Sequence, residues 1–234
     1  PDGTVRIGAA VTHREIAESQ VISEAFPMVP EMAAEIACGR IMNKGTIGGN
    51  ICLADPQGDP PIAMLALDAT MRAAGPDGAR DIPVREFFVD LYTTALREDE
   101  LLQEILIPPM KEGSVTAFGK YAARKAMDYT STISIAVRLI RNDSSGNLDE
   151  VSLGFGGVGQ TPMHSEEIER MLTGAAPTDA LFEAVREKLF DVLEPIDDHL
   201  YSANYKRHVS AVTLRRTIMK AYDGTWEGEG VLIR

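Results

Sequence analysis

Apolar and polar residues alternate near the start of the chain, Val5-Arg6-Ile7-Gly8-Ala9, and this period predicts a strand. Thr12-His13-Arg14-Glu15 follows with the spacing of a capping box, in which the Thr hydroxyl and the Glu carboxylate satisfy each other's orphan amides. A short helix is expected from there to residue 19, with His13 facing solvent in its first turn. Residues 26–37, rich in Met, Ala and Glu, predict a second helix with its apolar residues in the core. Beyond a glycine-rich stretch, residues 61–67 read as a helix, since proline is tolerated in a first turn. A strand over 69–73, a turn at Gly75-Pro76-Asp77-Gly78 and a short helix over 83–88 come next. Leu101-Leu102-Gln103-Glu104-Ile105-Leu106-Ile107 predicts a strand closed by Pro108-Pro109. That double proline marks the expected boundary between two domains, 1–110 and 115–224.

The second half changes character. Residues 116–123, 133–141 and 148–156 predict three strands, the last two joined by the hairpin-type loop Asn142-Asp143-Ser144-Ser145-Gly146-Asn147. Helices are expected over 165–172 and 179–193. A longer one over 202–222 has Tyr205, Val209, Val212 and Ile218 on its apolar stripe, with Lys206, Arg207, Arg215 and Arg216 off it, and Gly224 as its stop. Three strands followed by three helices give an α+β layout, helices lying on one face of an antiparallel sheet. A glycine run, Gly154-Phe155-Gly156-Gly157-Val158-Gly159, does not open a helix as a dinucleotide fingerprint does, and is read as the end of a strand. There is no internal repeat and no low-complexity segment.

Composition narrows the function. The chain has 234 residues, enough for a sizeable core, and a formal net charge of −12, which argues against nucleic acid or an anionic membrane as a general partner. No apolar run is long enough to span a bilayer, and the first residues do not form a signal peptide, so a cytoplasmic protein is expected. Two cysteines, Cys38 and Cys52, are too few for a disulfide framework or an iron–sulfur site and read as small buried apolar residues in a reducing compartment. The four histidines lack metal-ligand spacing. No bound metal is expected, and stoichiometric iron or zinc in the pure chain would refute that.

The candidate chemistry sits in Lys44-Gly45-Thr46-Ile47-Gly48-Gly49-Asn50, followed by Ala54-Asp55-Pro56-Gln57-Gly58-Asp59-Pro60-Pro61. A diglycine flanked by Thr and Asn allows a sharp turn that aims successive N–H groups at one anion. A stiff acidic loop and a helix start so close by suggest a nucleotide site. A dinucleotide is itself anionic, so Arg40 and Lys44, or the group Lys120, Arg124 and Lys125, must offset the global charge there.

At these residues the chain resembles the FAD-binding subunits of molybdenum hydroxylases, the group of carbon monoxide dehydrogenase medium subunits and xanthine dehydrogenases. The stretch from Thr46 to Pro61 resembles the family's second glycine motif. Lys120 to Val137, Gly156-Gly157-Val158 and Ser202-Ala203-Asn204-Tyr205-Lys206-Arg207-His208 resemble its flavoprotein C-terminal domain. The resemblance implies the second subdomain of a PCMH-type FAD-binding domain, with mixed sheet and helices, followed by that C-terminal domain of three antiparallel strands and a helical layer. It implies a division of labour. A molybdenum-cofactor large subunit hydroxylates the substrate with water, electrons cross two [2Fe-2S] clusters on a small subunit, and they reach FAD on this chain before leaving to NAD, a quinone or a ferredoxin-like protein. The chain would be an oxidoreductase component that needs no acid or base of its own and does not act alone.

By position, the resemblance implies that Thr46, Ile47, Gly48, Gly49 and Asn50 hold the FAD pyrophosphate and flavin edge, and that Asp59 accepts a hydrogen bond from the cofactor. Leu102 would pack on an apolar part of it. Lys120 would reach the ring's electron-rich end, favouring the reduced flavin. Arg124, Lys125, Asp128 and Tyr129 match a charged stretch near the flavin. Relatives carry a preceding subdomain with another glycine-rich loop, which this sequence does not include; the chain alone is therefore expected to hold FAD weakly and purify largely colourless. Each lost charge-assisted phosphate contact is worth about 1.5–3 kcal/mol. Two other readings stay open: a flavin-free scaffold that kept the fold, separated by flavin absorbance on adding FAD, and a peptidoglycan-precursor reductase or other FAD oxidase, against which the second half argues.

Overall fold

The computed structural model describes residues 2–36, 38–122 and 131–224. The first half runs β1 (Val5–Gly8), α1 (His13–Ala17), α2 (Gln20–Ala25), α3 (Met28–Ala34), α4 (Gly39–Met42), α5 (Ile47–Leu53) and α6 (Asp59–Ala66). It continues with β2 (Thr70–Gly75), β3 (Gly78–Pro83), α7 (Val84–Phe87), β4 (Phe88–Asp90), β5 (Thr93–Thr94) and β6 (Leu101–Ile107). The second half contains β7 (Ser114–Tyr121), β8 (Ile133–Arg141), β9 (Leu148–Gly156), α8 (Glu166–Leu172), α9 (Asp179–Val192) and α10 (Ala203–Asp223).

The first sheet has the order β1-β6-β2-β3 with every pair antiparallel, so the strand before the double proline lies in its interior. The second sheet is the antiparallel meander β7-β8-β9. The strands β8 and β9 fall on the expected residues 133–141 and 148–156, and the Thr12 capping box and the Ser202 and Gly224 ends of α10 are present. Elements not anticipated are α2, α4, β3 and the β4–β5 hairpin, all short, and α5, treated below.

The helix α6 is the centre of the molecule. All eight of its residues are buried, because it packs on α3 and α5 on one side and on β8 and β9 on the other. Close approach to β9 depends on Gly154: a Cβ there would stand 2.1 Å from the carbonyl oxygen of Ile62. The second glycine run is thus a strand end shaped to receive a helix. Fully buried Ile62, Met64 and Leu65 each contribute about 1.5–3 kcal/mol from the water-excluded area. The C-terminal end of α6 is held by Arg138 of β8, whose Nε donates to the Ala66 carbonyl at 3.0 Å while its other nitrogens reach Glu150 and Asp68 at 2.7 Å each.

On the far side of the second sheet, α10 packs on β7 and β8. Its buried face is Lys206, Val209, Ser210, Leu214, Thr217 and Ile218, which corrects the expectation that Lys206 lies off the stripe. The Lys206 ammonium is neutralised inside by Asp198 at 2.6 Å and by the Ile196 carbonyl at 2.7 Å. Thr217 is there because Gly119 of β7 leaves room; a Cβ on Gly119 would meet the Thr217 hydroxyl at 2.1 Å.

Candidate functional site

The glycine motif is a helix start and not a bend. Thr46 is the N-cap of α5, its hydroxyl accepting from the Gly49 amide at 3.1 Å, so Ile47, Gly48 and Gly49 form the first helical turn. The amides expected to converge on an anion are already used: Ile47 N–H donates to the Val11 carbonyl at 3.0 Å, Gly48 N–H to Ala9 at 2.9 Å and Asn50 N–H to Thr46 at 3.0 Å. Neither glycine has a positive φ. This corrects the reading of a diglycine bend with free amides: residues 9–12, far away in sequence, take up the donors and pull the segment into helical register.

The two glycines have separate reasons. A Cβ on Gly48 would sit 2.4 Å from the Ala9 Cβ, so glycine is required for the helix to rest on β1's end. Gly49 is exposed, and a Cβ there would meet only the Thr46 hydroxyl, at 3.0 Å. Gly49 therefore offers bare backbone to whatever approaches α5 from outside. The Asn50 side-chain oxygen, by contrast, is buried without a hydrogen-bond partner among the described residues and lies against the Gly58 loop, 3.1 Å from where a Cβ on Gly58 would stand. The open Gly49 face beside the Thr46 hydroxyl leaves room for a bulky polar ligand such as FAD at this helix start. The Ile47, Gly48 and Gly49 amides are all committed within the chain, so what remains for a phosphate is the Thr46 hydroxyl proton and the open Gly49 backbone face.

Leu102 lies on β6 and is buried; α5 packs against that strand, and the Ala9 amide donates to the neighbouring Gln103 carbonyl at 2.9 Å. Asp59 is the first residue of α6, behind α5, and is fully buried. Lys120 Nζ donates to its Oδ2 at 2.6 Å, and the Ser131 hydroxyl to its Oδ1 at 2.5 Å. Burial pushes the Asp59 carboxyl up, against the pull of Lys120 and Ser131. Pro60 and Pro61 carry no amide hydrogen, so this helix start has few free donors and its positive end is met by the Asp59 carboxylate. Asp59 and Lys120 thus spend their groups on each other, which differs from the expectation that each presents itself to the cofactor.

The structure joins Thr46–Asn50, Leu102 and Asp59 through β6, α5 and α6 packed in succession, and Lys120 reaches Asp59 from β7 through its side chain. Arg124, Lys125, Asp128 and Tyr129 lie outside the described residues. Arg40 and Lys44 are exposed near the motif, as local positive charge requires. Sequence reasoning missed Ala9 and Val11, whose carbonyls set α5, and Ser131, which completes the Asp59 pair. It also misplaced three residues. Cys38 is exposed, in extended backbone ahead of α4, and Cys52 is half-buried. His13 is buried, not solvent-facing, because Gly45 leaves space for its ring.

Among the described residues no helix is long and apolar enough to cross a membrane, and no cluster of His, Cys, Asp and Glu could hold a metal ion.

Residues 1–110 match the family model described as "FAD binding domain in molybdopterin dehydrogenase", and residues 117–221 match "CO dehydrogenase flavoprotein C-terminal domain". The carbon monoxide dehydrogenase medium chain of Afipia carboxidovorans is 32% identical over 221 residues, covering 94% of this chain and 75% of the relative. The 6-hydroxypseudooxynicotine dehydrogenase complex subunit alpha of Paenarthrobacter nicotinovorans is 31% identical, covering 94% and 73%. Among solved structures, carbon monoxide dehydrogenase from Hydrogenophaga pseudoflava superimposes with a TM-score of 0.89 at 29% identity, covering 95% of this chain and 76% of that one. The chain thus spans about three quarters of the length of these relatives.

Proposed function

Because this chain belongs to the FAD-binding medium subunits of the molybdenum hydroxylases, we propose that it passes electrons from the [2Fe-2S] clusters of a small partner subunit to an external acceptor. The molybdenum-cofactor large subunit takes those electrons from the substrate. FAD, when bound, supplies the redox chemistry. The chain's own residues bind and orient it.

Thr46 and Gly49 offer a hydroxyl and an uncovered backbone face to the pyrophosphate, and Asn50, next in the same turn, holds its side-chain oxygen inward against the Gly58 loop. Leu102 gives an apolar wall. Lys120 acts through the dipole it forms with Asp59 and not as a free charge, because a neutral pair's field decays faster with distance than a lone ammonium's. The pair also fixes the β7 backbone behind α6. The acidic surface and the absence of a paired cysteine support work in the cytoplasm on small-molecule and protein redox partners, without nucleic acid.

The observation that supports this most is the exposed face of Gly49 beside the Thr46 hydroxyl, in the half of the chain that matches an FAD-binding family. The test is flavin removal from the native complex. Stripped complex should still reduce its iron–sulfur centres with substrate but fail to reduce the external acceptor, and added FAD should restore transfer. Acceptor reduction at the original rate without flavin would refute the path.

A further inference from the structure

His13 lies next to the cofactor-facing turn, and nothing in the electron path uses it. The capping box fixes the first turn of α1 and directs the His13 side chain inward, where it is buried. The imidazole occupies the space that Gly45 leaves: a Cβ on Gly45 would stand 3.1 Å from the ring's Cδ2 and 3.4 Å from Nε2. The backbone is tied at the same point, His13 N–H donating to the Gly45 carbonyl at 3.0 Å and Thr12 bridging to Thr46. The ring is therefore the filler under the hinge that delivers Thr46 to its capping position on α5.

Its Nδ1 is buried with no hydrogen-bond partner among the described residues. A neutral ring survives there; a second N–H carrying positive charge has nothing to donate to. Burial accordingly pulls the imidazole below its ordinary value. The charged and titratable groups on the elements packed around α1 do not offset this. Glu15 is spent on the Thr12 amide and hydroxyl, and Arg14 on Asn43 and Glu18. On α3, Glu31 pairs with Lys220 and Glu35 is exposed. Cys38, Arg40 and Lys44, around α4, are exposed.

We infer that His13 is a positioning residue for the FAD-holding turn: its neutral ring seats Gly45–Thr46, and its protonation unseats them, so that FAD is released on acidification. This rests on Thr46–Asn50 being the cofactor face.

Two measurements test it, from roughly pH 8 down to 4.5, the range around an imidazole titration. The first follows the His13 ring and the Gly45 and Thr46 amides by NMR in the flavin-free chain. The second follows FAD release by fluorescence in the FAD-loaded protein, for the natural chain and for His13→Gln, which cannot charge. The amides should move with the ring's titration, and FAD affinity should fall at least about tenfold over the same interval. His13→Gln should hold FAD at high pH and lose most of that acid dependence. A ring that titrates without moving the Gly45 and Thr46 amides overturns the positioning role, as does a His13→Gln protein with the natural acid profile. Amides that follow the ring while FAD affinity stays constant overturn instead the placement of FAD at Thr46–Asn50.

Discussion

Lys120 and Asp59 come from opposite halves of the chain, and their 2.6 Å contact is closed to solvent on the carboxylate side. Breaking a buried pair leaves one uncompensated charge, which costs about 3–5 kcal/mol. Asp59→Asn and Lys120→Met should each lower stability by that amount, and the double variant should cost far less than the sum. Urea denaturation of the four proteins measures the coupling. Simple additivity would mean that the two groups do not act as a pair.

The two glycines of the motif should separate stability from binding. Gly48→Ala drives a methyl into Ala9 and should destabilise by about 1–3 kcal/mol. Gly49→Ala replaces an exposed helical glycine and should change stability by less than about 1 kcal/mol. Its effect should appear in FAD affinity, with a loss of about tenfold or more, or about 1.4 kcal/mol. A Gly49→Ala protein with natural FAD affinity would move the cofactor off this face.

Gly154→Ala tests the seating of α6. The added methyl collides with the Ile62 carbonyl, an atom the helix backbone cannot move alone. A loss above about 3 kcal/mol is expected, against about 1–2 kcal/mol for Gly174→Ala, whose methyl meets nothing and whose cost is left-handed backbone strain alone. Thermal unfolding of both variants gives the comparison, and equal small shifts would argue against close helix-on-strand packing.

Acid should loosen the loop ahead of α10. Burial raises the Asp198 carboxyl, but Lys206 and the Tyr201 and Leu200 amides outweigh it and bring the group to about 2, from an ordinary 3.8. The folded state binds this proton less readily than the unfolded one, so the contribution is fully present above pH 3.8 and is lost as pH falls through about 2. Asp198→Asn should lower stability at neutral pH and flatten the urea midpoint over that acid interval. An unchanged slope there would show that Asp198 does not hold Lys206.

Strands were legible where burial alone decides them: β8 and β9 are buried along most of their length, and their ends match the expected 133–141 and 148–156 to the residue. Caps were legible because they are local, as at Thr12 and Gly224. The α5 helix was not, since Ile-Gly-Gly-Asn has poor helix propensity and its donors are claimed by carbonyls some forty residues earlier. His13 and Lys206 were misjudged for a related reason. Each is polar and buried, and the features that admit it, Gly45 for one and Asp198 with the Ile196 carbonyl for the other, are brought near only by the fold. The residues of the candidate site could be named from the motif; that Asp59 and Lys120 face each other could not.

The way α6 is gripped bears on what can be exchanged between relatives. Its N-terminal carboxylate is answered by β7, its last carbonyl by β8, and its flank lies on a glycine of β9. A chimaera that joins this first half to another subunit's second half inherits a helix whose anchors were cut for a different socket. Transplanting the flavin-facing half requires carrying the equivalents of Lys120, Arg138 and Gly154 along with it.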